Sequence, residues 1–127
     1  MKGDNIPNQS AVYGTQGVAA PTNKPRSSYE AVEWRDLSGN FWLYDNYDLW
    51  KFNPTTLQWT WMKGPQGASL GIYGTKGVAS PSNFPGTRGY GSATWVDNTG
   101  NLWLFGGIGD GGFKNDLWKY NISSNQW

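Results

Sequence analysis

Residues 12–25, VYGTQGVAAPTNKP, return as residues 72–85, IYGTKGVASPSNFP. A repeat of this kind constrains the fold more than any single motif. A repeated unit buries its apolar face against the next unit, not by itself. The correspondence continues along the chain. Glu33–Tyr44 (EWRDLSGNFWLY) aligns with Thr94–Phe105 (TWVDNTGNLWLF), Asp48–Asn53 with Asp116–Asn121, and Gln58-Trp59 with Gln126-Trp127. The offset is 60 or 61 as far as Phe105 and 68 from Asp116. The second copy therefore carries seven extra residues between those two points.

Each copy divides into four short strands. The first covers about Tyr29–Arg35 and about Tyr90–Val96, the second Asn40–Tyr44 and Asn101–Phe105. The third is Asp48–Asn53 and Asp116–Asn121; the fourth is about Gln58–Met62 and begins again at Gln126. Leu49 and Lys51 alternate with Trp50 and Phe52, the period of two that marks a strand. An Asp-x-x-Gly-Asn turn joins the first two strands, with Gly39 and Gly100 suited to positive φ. The fold class expected is all-β, with two four-stranded antiparallel sheets and no helix beyond a turn or two.

Composition narrows the function classes. Aromatic residues make up 17% of the chain, far above what disordered segments carry. Ten basic and nine acidic residues leave a net charge of +1 with no basic cluster, so a phosphate-tracking nucleic-acid surface is not expected. No apolar run reaches the length of a membrane-spanning helix, and the first residues have no apolar stretch of the secretion-signal type. Cys and His are both absent, which removes disulfides, thiolate metal sites, thiol nucleophiles and imidazole bases. Neither a cofactor nor a metal is expected. Oxygen ligands alone would suit only Ca²⁺ or Mg²⁺.

The repeat resembles the kelch repeat. The matching residues are Gly106-Gly107 after the second strand, the aromatic third strand (Trp50, Trp118) and the Trp of the fourth (Trp59, Trp127). The resemblance implies two kelch-type β-propeller blades, similar to those of the galactose oxidase central domain. Residues 1–61 would form the first blade with its long N-terminal insert, and residues 62–127 the second with its own insert. Two features depart from the pattern: Asp45-Asn46 stands where the first Gly-Gly belongs, and a Gly-, Pro- and Ser-rich insert precedes the first strand of each copy. The resemblance also implies a structural blade core of Trp42, Trp50, Trp59, Trp103, Trp118 and Trp127 with Gly106 and Gly107.

Propellers have about four to eight blades. Two blades imply either a longer array or copies joined head to tail, as a ring of about three or four chains or an open filament. The function expected is a non-enzymatic scaffold and interaction module, extracellular or at a cell surface. The alternatives are a glycan-binding, lectin-like propeller and a non-catalytic part of a propeller enzyme. Galactose-oxidase copper chemistry does not carry over without His and Cys, and no arginine cluster supports a sialidase.

Candidate ligand-binding residues lie mainly in loops, where rigid scaffolds carry function. Tyr13 and Tyr73 either stack on sugar rings or pin the inserts to the sheets. Arg26 and Arg88 either grip a ligand carboxylate or bind insert carbonyls. Trp61 could turn outward from the fourth strand. Asp110, in Gly109-Asp110-Gly111-Gly112, could join a Ca²⁺ site or sit in a plain loop. Asp36, Asp97, Asp48 and Asp116 recur in register, which favours turn and strand-end hydrogen bonds over acid–base work. Glu30 and Glu33 have no acidic counterparts and suit a channel wall. Asn8 and Asn121 head glycosylation sequons. The long inserts and the loop Gly106–Asn115 are expected together at one end of the sheets, opposite the short turns.

Overall fold

The computed structural model describes residues 2–109 and 111–127. The fold is all-β, with no helix among the described residues. Four strands, β1 (Val32–Arg35), β2 (Phe41–Tyr44), β3 (Leu49–Asn53) and β4 (Gln58–Lys63), form an antiparallel meander. The second copy supplies β5 (Ser92–Val96), β6 (Leu102–Gly106) and β9 (Leu117–Tyr120), also antiparallel and in that order. Between β6 and β9 lies a small hairpin, β7 (Ile108–Gly109) and β8 (Gly112–Phe113). It accounts for the extra residues of the second copy.

The second sheet has three strands where four were expected. The fourth is reduced to one bridge, Asn121 with Gln126, beyond the Asn121–Ser124 turn. The first strands are also shorter than their apolar pattern implied. Glu30 has a φ of 48° and Gly91 of 81°, left-handed conformations that stop β1 and β5 from extending back to Tyr29 and Tyr90.

The Asp-x-x-Gly-Asn turns share one hydrogen-bond plan. Asp36 Oδ1 accepts from the backbone N–H of Ser38 and of Asn40, and its Oδ2 accepts from Asn40 Nδ2 and Trp42 Nε1. Asp97 does the same for Thr99, Asn101 and Trp103. Gly39 and Gly100 hold φ near 84° and 85° at the turn. One aspartate thus closes the turn and aims the Trp of the next strand. These bonds hold the Asp36 and Asp97 carboxyls below the usual range; at Asp36 they outweigh an opposing effect of burial.

The departure at Asp45-Asn46 has a local explanation. Gly107 has a φ of 91°, and its counterpart Asn46 keeps the left-handed form at 78°. Asparagine tolerates that region better than other side chains. A Cβ on Gly107 would lie 2.1 Å from Ser92 Oγ. In the first copy Ala31 stands at the Ser92 position, so no hydroxyl obstructs a side chain there.

The two sheets stack front to back. The front of the first sheet presents Val32, Trp34, Trp42, Tyr44 and Leu49, all buried. It meets the back of the second sheet, which presents Leu102, Leu104, Trp118, Tyr120 and Trp127. Trp42 sets its edge against Tyr120 at 5.6 Å and Tyr44 against Trp127 at 6.3 Å. The Trp34 indole donates to the Trp103 carbonyl at 2.7 Å, and Thr94 Oγ1 to the Glu33 carbonyl at 3.0 Å. Burying these aromatic faces supplies most of the favourable free energy the pair of sheets can gain.

Candidate functional site

The long inserts are not confined to one end of the sheets. The first runs along the outer edge of β4. Gly17 N–H donates to the Trp61 carbonyl, Ala20 N–H to that of Trp59, and Asn23 Nδ2 to both Trp59 and Val18 carbonyls. The second insert repeats this with Ser80 N–H and Asn83 Nδ2 on the Trp127 carbonyl. The physical reason is the strand edge. Its carbonyls need donors, and an unpaired edge invites association with other chains. Asn23 and Asn83 are buried to do this work.

Each insert then places a tyrosine over a strand Trp. Tyr13 stacks on Trp50 at 5.2 Å and meets the edge of Trp61 at 5.3 Å. Its hydroxyl donates to Asp48 Oδ2 at 2.8 Å and accepts from Arg26 Nη2 at 2.9 Å. Tyr73 lies over Trp118 at 5.1 Å and donates to Asp116 Oδ2 at 2.7 Å, the same oxygen that pairs with Arg88. Of the two readings for these tyrosines, the geometry fits the pinning role. Arg26 and Arg88 face the carboxylates that begin the third strands, and Arg88 also reaches an insert carbonyl, that of Thr87, at 3.4 Å.

The first copy holds an acid at a position where the second has none. Asp45 replaces Gly106 and is fully buried beside Asp48. Its carboxylate accepts from Asp48 N–H and from Trp50 Nε1, while Asp48 Oδ1 accepts from Gln66 N–H. Arg26, whose guanidinium also lies over the Tyr47 ring, is 3.7 Å from Asp45 and 3.9 Å from Asp48. Two carboxylates thus share one cation. Burial pushes Asp48 up to about 6 and raises Asp45 as well; hydrogen bonds and Arg26 only partly offset it. Burial and the bond to Asp48 push Tyr13 up to about 12.

A pH dependence follows, with a definite sign. The Asp48 carboxyl binds its proton more tightly in the fold than in the unfolded chain, where it titrates near 3.8. Its contribution to stability is therefore complete below about pH 4 and is lost as pH rises through about 6. Asp36 and Asp97, lowered by the fold, act in the opposite sense at more acid pH. Urea midpoints measured between pH 4 and 7 should fall between about pH 4 and 6 and level off above, and Asp48→Asn should flatten that fall. An unchanged slope in the variant would remove Asp48 as its source.

The other candidates are dispersed. Trp61 is half-buried under Tyr13. Asp110 lies outside the described residues. Asn8 is exposed. The Asn121 amide is committed: its Nδ2 donates to Asn101 Oδ1 and its Oδ1 accepts from Ser124 N–H. Glu33 is exposed on β1, at the edge beside β5. The expected Trp core divides: Trp42, Trp50, Trp118 and Trp127 are buried, whereas Trp59 and Trp103 are only half-buried. Among the described residues no group of three or more acidic side chains is placed to hold a metal ion.

Sequence reasoning missed two repeated grooves. One, of about 440 Å³, lies between Lys63, Ser82, Asn83 and Asn125; its counterpart, of about 490 Å³, lies between Lys2, Pro21 and Asn23. Lys63 Nζ donates to the Pro81 carbonyl and Lys2 Nζ to that of Pro21. The pairing of Lys2-Gly3 with Lys63-Gly64 was the signal available in the sequence. No protein-family model, curated protein or solved structure matches this chain.

Proposed function

We propose that the chain is a pair of kelch-type propeller blades acting as a non-catalytic scaffold and interaction module, within a longer array of blades or by self-association. One observation carries this reading. The front of the first sheet packs on the back of the second, so each unit is complementary to the next unit in the same direction. Such heterologous stacking about an axis is how propellers are built. The edges β1 and β5 lie against each other, as innermost strands of adjacent blades would.

The carboxylates support the absence of catalysis. Asp45 and Asp48 differ in environment, as an acid–base pair requires, yet both are fully buried beneath aromatic rings and closed to substrate. The glycan reading draws less support, because Tyr13 and Tyr73 spend their hydroxyls on Asp48 and Asp116. The surface best suited to a protein partner is the sheet end carrying the β7–β8 hairpin. Phe113 there is 89% exposed, and Tyr29 and Tyr90 stand exposed at the same end.

Tandem fusion tests the blade reading. Two or three copies joined in one chain should scatter X-rays as a compact ring-like particle and melt well above a single copy. Independent, flexibly linked bodies with an unchanged melting temperature would exclude it.

A further inference from the structure

The repeat makes the two outward faces predictable from the two inward ones. On the front of the second sheet, Ala93, Trp95, Trp103, Phe105 and Leu117 stand where the first sheet has Val32, Trp34, Trp42, Tyr44 and Leu49. The first-sheet set is at most 6% exposed. In the second sheet Trp95 is 45%, Phe105 44% and Leu117 54% exposed. Trp95 and Trp103 lie parallel at 6.0 Å, an aromatic ladder open to water.

The back of the first sheet shows the converse. Phe41, Leu43, Phe52 and Trp59 stand where the second sheet buries Leu102, Leu104, Tyr120 and Trp127. Phe41 is 47% exposed, and Phe52 packs on its cross-strand neighbour Trp59, at 4.9 Å. Few charges stand on either face: Lys119 on the front of the second sheet, and exposed Glu33 and Arg35 on the back of the first, beside Leu43 and Phe41. Lys119 over Trp103 has its counterpart in Lys51 over Trp42, which lies within the stacked pair.

We propose that the occupant of both faces is a second copy of this chain: the front of one copy's second sheet docks on the back of the next copy's first sheet. The argument for this occupant is continuity. The uncovered faces are the repeat equivalents of two faces already joined inside the chain, so one rigid operation regenerates the same interface. Trp95 Nε1 would donate to the Trp42 carbonyl of the next copy, as Trp34 does to Trp103 within the chain. Trp103 would meet Phe52 of the next copy, as Trp42 meets Tyr120. Phe105 would meet its Trp59, as Tyr44 meets Trp127. Three substitutions in the set bring charge: Glu33 and Arg35 stand where the second sheet has Thr94 and Val96, and Lys24, paired with Asp4, stands at the position of the buried Phe84. Phe41, Leu43, Phe52 and Trp59 keep the rest of this face apolar, and interface free energy concentrates in such apolar patches.

This inference rests on the blade reading, and its test separates the two. Trp95→Glu spoils only the front of the second sheet, and Phe41→Glu only the back of the first. Both residues are exposed in the single chain, so both variants should keep the parental far-ultraviolet circular dichroism. Sedimentation velocity of the parent should show particles of several 14.1 kDa chains. Each variant alone should remain one chain, its association weakened about 100-fold or more. An equimolar mixture should give a dimer that grows no further, because the sound front of the Phe41→Glu chain meets the sound back of the Trp95→Glu chain. A parent that stays at 14.1 kDa up to about 100 μM overturns the inference. So does self-association of either variant alone, which would mean like faces pair with like. A monomeric parent whose tandem fusion still forms a compact ring would leave the blade reading standing and remove only the second copy.

Discussion

Trp42→Ala should destabilise the fold by about 3–5 kcal/mol, the range for removing a large aromatic from a packed core. Trp42 is 1% exposed. It contacts Tyr120 across the stacked sheets, lies under Lys51, and donates its indole N–H to Asp36. Truncation leaves a cavity between two rigid sheets and takes one donor from Asp36. Trp103 is its built-in control. It has the same strand position, the same indole bond to the turn aspartate and the same lysine above it. It lacks only the sheet in front. Trp103→Ala should therefore cost about 1 kcal/mol in the single chain, nearer the scale of surface changes. Urea unfolding at low concentration measures both. Equal costs would mean that the turn bond, not the stacking, sets the value of this Trp.

The comparison also shows what the sequence could and could not disclose. Strands, turns and the Asp36 and Asp97 networks are local, and a period of two beside a turn signal is enough to locate them. The left-handed Asn46 was hidden, because Asp45-Asn46 reads as a lost Gly-Gly until Ala31 is known to lie opposite. The inserts, expected at one end of the sheets, instead line the outer edge of the fourth strand for part of their length. Their composition signals turns, and turn-rich segments give no sign that Gly17 and Ala20 will line a strand edge some 40 residues away. The burial of each Trp was hidden for a different reason. Trp59 and Trp127 are equivalent in sequence, yet one is half-buried and the other 3% exposed. Exposure here depends on whether another sheet of the chain stacks on that face, a property of the sheet packing and not of the residue. The Tyr13–Asp48–Arg26 and Tyr73–Asp116–Arg88 clusters were legible as recurring residue types but not as contacts, since 35 and 43 positions separate each tyrosine from its aspartate.

The second of those clusters yields the other large effect. Arg88→Met should destabilise the fold by about 3–5 kcal/mol, because it strips the cation from a buried pair and keeps the carboxylate. Arg88 is fully buried, with its guanidinium on Asp116 and its backbone N–H on the Asn46 carbonyl of the first copy. It therefore ties the start of the third strand to the junction between the two sheets. Methionine keeps much of the stem's packing, so the cost isolates the charge. Asp116 would retain the Tyr73 hydroxyl and the Trp118 indole as donors but lose its counter-ion in a largely enclosed site. Two comparisons make the result specific. Arg26→Met should cost clearly less, because Arg26 is 26% exposed and its departure removes one of the effects that oppose protonation of the already raised Asp48, which can then shed its charge. Arg88→Met combined with Asp116→Asn should recover a substantial part of the loss, since no unpaired charge then remains. Chemical unfolding of the three variants at pH 7 measures all of these differences. A double variant no more stable than Arg88→Met alone would place the role of Arg88 in packing and in the Thr87 carbonyl bond, not in the ion pair.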